Sequence, residues 1–78
     1  MASERSESHL AYGKALRELR TERGISQERL ALNAGLDRTY VSGIERGERN
    51  PSLTNLLKLS ATLGIAFSEW ARRAERRT

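Results

Sequence analysis

A chain of 78 residues with 37% hydrophobic and 5% aromatic residues can enclose one small core and little more. It has no cysteine and a single histidine, which excludes disulfides and thiolate metal sites and suits a reducing cytoplasm. The net charge of +4 favours a polyanionic partner without establishing one. No apolar run approaches the ~18 residues a membrane span requires, and no secretory leader is visible.

Residues 1–8 are polar, with three serines and three charges and no apolar period, and are expected to form a disordered arm. Arg5 alone is a thin basis for reading that arm as a minor-groove contact. A first helix is predicted over about residues 9–23, where Tyr12, Leu16 and Leu19 recur at helical spacing and Gly24 supplies a stop. Its other face, with Lys14, Arg17, Glu18, Glu22 and Arg23, reads as solvated surface, and His9 as a surface residue without metal or catalytic partners.

Two short helices follow. Ser26 is an N-cap type residue before a helix over 27–34, whose apolar face is Leu30, Ala31 and Ala34 and whose end is marked by Gly35. Only a tight turn fits before Asp37, which can cap a third helix over 38–46 with Val41 and Ile44 inward and Gly47 as terminator. At ~100° per residue, that choice turns Arg38, Thr39, Ser42, Gly43 and Arg46 outward together. A forked guanidinium, two hydroxyls and a bare backbone suit hydrogen bonds with base edges and allow a close approach. Between Ile25 and Asn50 four arginines balance four acids, so the argument for DNA rests on placement and not on bulk charge.

After a loop from Glu48 to Ser52, a fourth helix is predicted over 52–63 from the stripe Leu53, Leu56, Leu57, Ser60 and Leu63, which reads as core. A fifth, over 67–76, sets Ile65, Phe67, Trp70, Ala71 and Ala74 on one side and Arg72, Arg73, Arg76 and Arg77 largely away from it. Two readings of this helix compete. Its aromatics either finish the core or supply a dimer interface; a mixture is favoured, with Phe67 helping to complete the core and Phe67, Trp70, Ala71 and Ala74 supplying the dimer interface.

Gln27, Ala31, Gly35, Val41 and Ile44 have the spacing of the helix-turn-helix in phage-repressor-like (Xre-type) transcriptional regulators, which this chain resembles from Tyr12 to about Trp70. The run LDRTYVSGIERGERNPSL is similar to the recognition helix and following loop of that family, including the controller proteins of restriction-modification systems. The resemblance implies an all-α, five-helix, lambda-repressor-like domain over 9–78. It also implies a partly buried ion pair between Arg20 and Glu45, and a phosphate-clamping role for Gln27 at the positive end of its helix. Resemblance to controller proteins suggests a DNA contact for Tyr40, against which ordinary packing stands as an even rival.

On this reading Arg38, Thr39 and Ser42 contact bases, while Gln27, Tyr40, Arg46, Arg49 and Asn50 contact the DNA backbone. For Arg49 and Asn50 a solvent-exposed loop is the rival reading. One recognition helix touches few base pairs, each worth ~1–3 kcal/mol of discrimination, so a homodimer on double-stranded DNA is expected, with half-sites ~34 Å apart. RNA polymerase is a further candidate partner. No cofactor, metal, membrane or small-molecule ligand is indicated, and an enzyme reading finds no support. The alternative is an antitoxin-like module whose main task is to bind a protein.

Overall fold

A computed structural model describes residues 7–76, which form five α-helices. These are α1 (Glu7–Glu22), α2 (Gln27–Ala34), α3 (Arg38–Glu45), α4 (Leu53–Leu63) and α5 (Phe67–Glu75). The all-α architecture follows the sequence expectation, with one adjustment at the start. Glu7 and Ser8 belong to α1 and not to an arm. The rest of the expected arm, with Arg5, and Arg77 in the tail lie outside the described residues.

Local chemistry sets most of the boundaries. Ser26 and Ser52 cap α2 and α4, their hydroxyls accepting from the backbone N–H groups of Arg29 at 3.0 Å and Asn55 at 3.2 Å. Gly35 closes α2 at φ 71°, a left-handed conformation that side chains resist, and the chain can therefore turn at once into α3. After α3, Gly47 at φ 77° is required twice over, because an added Cβ would also lie 2.7 Å from Leu10 Cδ2 of α1.

The core lies where α1 packs on both α3 and α5 and where α2 and α4 close the remaining side. Leu16, Leu19, Leu30, Val41, Ile44, Leu59 and Trp70 are its largest fully buried side chains. Tyr12, Phe67 and Trp70 form an aromatic corner with ring centres 5.7–6.4 Å apart, joining α1 to α5. At the other contact of α1 the backbones nearly touch. A Cβ added at Gly13 would fall 2.3 Å from the Ile44 carbonyl oxygen and 2.7 Å from that of Glu45, so α3 is seated at a depth that only glycine permits.

Two arginines expected merely to face solvent instead tie helices together. Arg23 donates from Nε to the Leu63 carbonyl at 2.7 Å and from a terminal nitrogen to the Leu19 carbonyl at 3.2 Å, joining the ends of α1 and α4. Arg73 on α5 bonds Glu22 of α1 and lies 3.7 Å from Glu18. Among the described residues no helix is long and apolar enough to cross a membrane.

Candidate nucleic-acid interface

The interface is built on α3, whose orientation is set from beneath by a buried polar cluster. Arg20 of α1 donates to Glu45 through both arms of its fork, Nε to Oε2 at 2.7 Å and a terminal nitrogen to Oε1 at 3.0 Å. Its third nitrogen donates to the Ile25 carbonyl at 2.9 Å. Gln27, the first residue of α2, adds a bond from Nε2 to Glu45 Oε1 at 2.9 Å. The side chains of Arg20 and Glu45 are only 11% and 4% exposed, and no buried side-chain donor or acceptor among the described residues lacks a partner. A desolvated pair needs such complete satisfaction to persist. The bond network therefore locks α1, the α1–α2 loop and the start of α2 onto the last turn of α3. Gln27, expected to hold phosphate, lies in this cluster; an amide has two N–H groups, so holding a carboxylate does not exhaust it.

The opposite face of α3 is exposed and polar. Arg38 projects at its N-terminal end, beside the first turn of α2, where it lines one cleft with Ser26, Gln27 and Glu28. Thr39 is exposed, and its hydroxyl donates to the Asp37 cap at 2.9 Å while its backbone N–H donates to the other carboxylate oxygen at 3.3 Å. Its methyl and its oxygen lone pairs are what it presents outward. One turn on, the Ser42 hydroxyl accepts from Arg46, whose Nε donates to Glu48 at 3.0 Å. The three form a solvent-exposed chain along the end of the helix, made of groups able to exchange these partners for base or phosphate oxygens. Asn50 is exposed in the loop that follows.

One sequence expectation is corrected at Gly43. Gly43 is not an open outward slot: it is buried, because the methylene stem of Arg49 lies across it, and a Cβ at 43 would sit 2.5 Å from Arg49 Cγ. Tyr40 is half-buried against the core, with its ring beneath the Arg49 guanidinium and its hydroxyl accepting from Asn55 Nδ2 at 3.0 Å. Packing and an exposed edge thus coexist in one side chain. Asn55 escaped sequence reading because a polar residue on the flank of a leucine-rich helix looks like surface. Gly43 carried a signal, since glycine inside a helix costs ~1 kcal/mol against alanine and commonly marks a close approach.

The expected dimer interface also changes. Trp70 and Ala74 have no exposed surface, and Trp70 spends its indole N–H on the Tyr12 carbonyl at 3.0 Å, so neither can be presented to a partner in this conformation. Phe67 and Ala71 keep part of their surface. Leu32 of α2 is 70% exposed, and on α4 two leucines of the expected core stripe face outward instead, Leu53 at 65% and Leu57 at 49%. At ~100° per residue these two and Ala61 share one flank of α4, away from the flank that carries Asn55. Among the described residues, no three His, Asp or Glu side chains are grouped to hold a metal ion.

Known proteins share this fold. The Helix-turn-helix family model matches residues 16–70. The control protein C.MunI of Mycoplasma sp is 52% identical over 61 residues, which is 77% of this chain and 82% of that protein. The restriction-modification controller protein C.AhdI from Aeromonas hydrophila superposes with a TM-score of 0.79 at 55% identity, covering 80% of this chain and 94% of the other. The controller C.Esp1396I, solved as a tetramer in complex with its natural 35 base-pair operator, matches with a TM-score of 0.84 at 30% identity, over 92% of this chain and 95% of that one. That protein has also been solved with an arginine, a threonine or a tyrosine substituted, three consecutive residues there and the same triplet of residue types as Arg38, Thr39 and Tyr40. This chain therefore belongs to the Xre-type helix-turn-helix family of DNA-binding transcription regulators, among relatives that are restriction-modification controller proteins.

Proposed function

We propose that this protein is a sequence-specific transcription regulator that binds a pseudo-palindromic operator as a dimer, controlling its own operon and a linked restriction gene. The observation that carries the reading is the outward face of α3, where Arg38, Thr39 and Ser42 stand on a helix held rigid from below by Arg20, Glu45 and Gln27. Arg38 is the chief base reader, because a guanidinium near the start of such a helix matches the O6 and N7 of guanine. Thr39 and Ser42 add hydroxyl and methyl contacts. Gln27, Tyr40, Arg46, Arg49 and Asn50 contact the DNA backbone, and with the N-terminus of α2 they set the register without reading sequence.

The dimer forms through the α4 flank of Leu53 and Leu57, extended by Phe67 and Ala71. Leu53 and Leu57 stand one turn apart on the same flank, and adjacent exposed leucines support burial against a second copy more than the separate Leu32 of α2 does. Two-fold symmetry would then set two α3 helices about one DNA turn, ~34 Å, apart. The protein acts in the cytoplasm, as a binder and not as an enzyme, and its level is its control.

The experiment is titration of the protein onto duplex DNA from its own upstream region and onto a scrambled duplex, across a salt series. Preference for the upstream DNA that survives rising salt, with two protomers per half-site pair, is expected. Arg38→Ala should lose about 1–3 kcal/mol of discrimination at one base position per half-site while non-specific affinity changes less. Equal, salt-sensitive binding of both duplexes would reject the operator reading and leave a merely basic helical domain.

A further inference from the structure

Arg49 is an exposed arginine in a loop, yet two neighbours, Gly43 and Tyr40, restrict it. Its stem lies on the bare backbone of Gly43, whose absent Cβ would meet Arg49 Cγ at 2.5 Å, Cβ at 3.5 Å and Cδ at 3.6 Å. The Gly43 carbonyl accepts the backbone N–H groups of Glu48 at 2.8 Å and Arg49 at 3.2 Å, so the loop folds back onto α3 at the same point. Farther out, the guanidinium carbon lies 5.9 Å from the centre of the Tyr40 ring, within cation–π range. The ring is in turn held at its far end by Asn55, whose amide donates to the phenol oxygen at 3.0 Å. Asn55 stands in the first turn of α4, where its own backbone N–H is held by the Ser52 cap. A chain of contacts thus runs from α4 through Tyr40 to Arg49, with Gly43 as the floor.

A free arginine side chain loses much rotamer freedom when it binds phosphate, and ordering it beforehand removes part of that cost. We infer that Asn55 and Gly43 are positioning residues for DNA binding, presetting the Arg49 guanidinium beside the recognition helix, Asn55 through the Tyr40 ring and Gly43 by leaving room for the stem. This rests on the reading of Arg49 as a DNA-backbone contact. Gly43 therefore serves affinity although it reads no base, and α4 takes part in DNA binding although it does not enter the groove.

The test is the dissociation constant for a specific and a scrambled duplex over a salt series, with a thermal melt of every variant. Arg49→Ala should weaken both duplexes and lower the salt slope by about one. Gly43→Ala should weaken binding about two- to tenfold, the range that ordering one long side chain costs. Its melting temperature should hold or rise, since alanine is the better helix former. Asn55→Ala should weaken binding over the same range with the salt slope kept. Two double variants identify the route: Gly43→Ala should add nothing once Arg49 is alanine, and Asn55→Ala nothing once Tyr40 is phenylalanine. Wild-type affinity and slope in Arg49→Ala would reject the phosphate contact itself. Loss in Arg49→Ala with wild-type binding in Gly43→Ala and Asn55→Ala would overturn the positioning inference alone, as would losses that persist undiminished in the double variants. If Gly43→Ala does not fold, the Asn55 and Tyr40 pair decides.

Discussion

The two sides of α3 use the same parts to opposite ends. Each has an arginine–glutamate pair and each has a glycine against which something packs closely. On the inner side Arg20 and Glu45 meet through two bonds at 2.7 and 3.0 Å in a dry setting, and Gly13 lets the α1 backbone rest on the last carbonyls of α3. On the outer side Arg46 and Glu48 share one bond at 3.0 Å with side chains 55% and 36% exposed, and Gly43 receives a flexible arginine stem. The inner contacts are between groups that cannot move without unfolding something. The outer ones join side chains that water already reaches, which exchange partners at little cost. A helix that must present a rigid backbone and adaptable side chains to DNA needs both kinds.

The largest effect that separates the sides is expected at Arg20. Arg20→Ala strands Glu45 as a buried charge and should cost about 3–5 kcal/mol of stability, measured by chemical denaturation. A loss below about 1 kcal/mol would place the inner pair in the same class as the outer one.

Next comes a contrast of sign between the glycines. Gly→Ala in an open helix stabilises by ~1 kcal/mol. At Gly13 the new Cβ would press on two backbone carbonyls that cannot rotate away, so Gly13→Ala should destabilise by about 1–3 kcal/mol despite the better propensity. A higher melting temperature in Gly13→Ala would mean that α1 and α3 can separate without loss.

The smallest effect belongs to the outer pair. Glu48→Ala should change stability by no more than about 1 kcal/mol while releasing Arg46 from one partner. Removing that acidic group beside the DNA face should tighten binding to every duplex at low salt, with the gain fading as salt rises. A stability loss comparable to that of Arg20→Ala would refute the division between the two sides.

Helical periodicity and caps were legible in the chain as written. Ser26, Asp37 and Ser52 before apolar stripes, with Gly35 and Gly64 closing the first and last of these helices, set out α2, α3 and α4 because these signals act within one turn of backbone. The outward set Arg38, Thr39, Ser42 and Arg46 is equally local, a consequence of ~100° per residue once Val41 and Ile44 are placed inward. Arg20 and Glu45 lie 25 positions apart, and their pairing was legible only through resemblance to a family.

What sequence by itself determined, then, is everything that depends on neighbours along the chain: which segments are helical, where each stops, and which side of α3 is polar. Tertiary structure decided what depends on neighbours across it. Trp70 ends in the core and not at an interface because its indole N–H finds the Tyr12 carbonyl, 58 positions away. Gly13 is needed because of carbonyls on α3, and Gly43 is covered because the chain doubles back and lays Arg49 over it. A helical wheel gives directions around an axis, but it holds no information on what another segment brings to that direction. Burial, pairing and close approach are properties of two elements together, and only their packing specifies them.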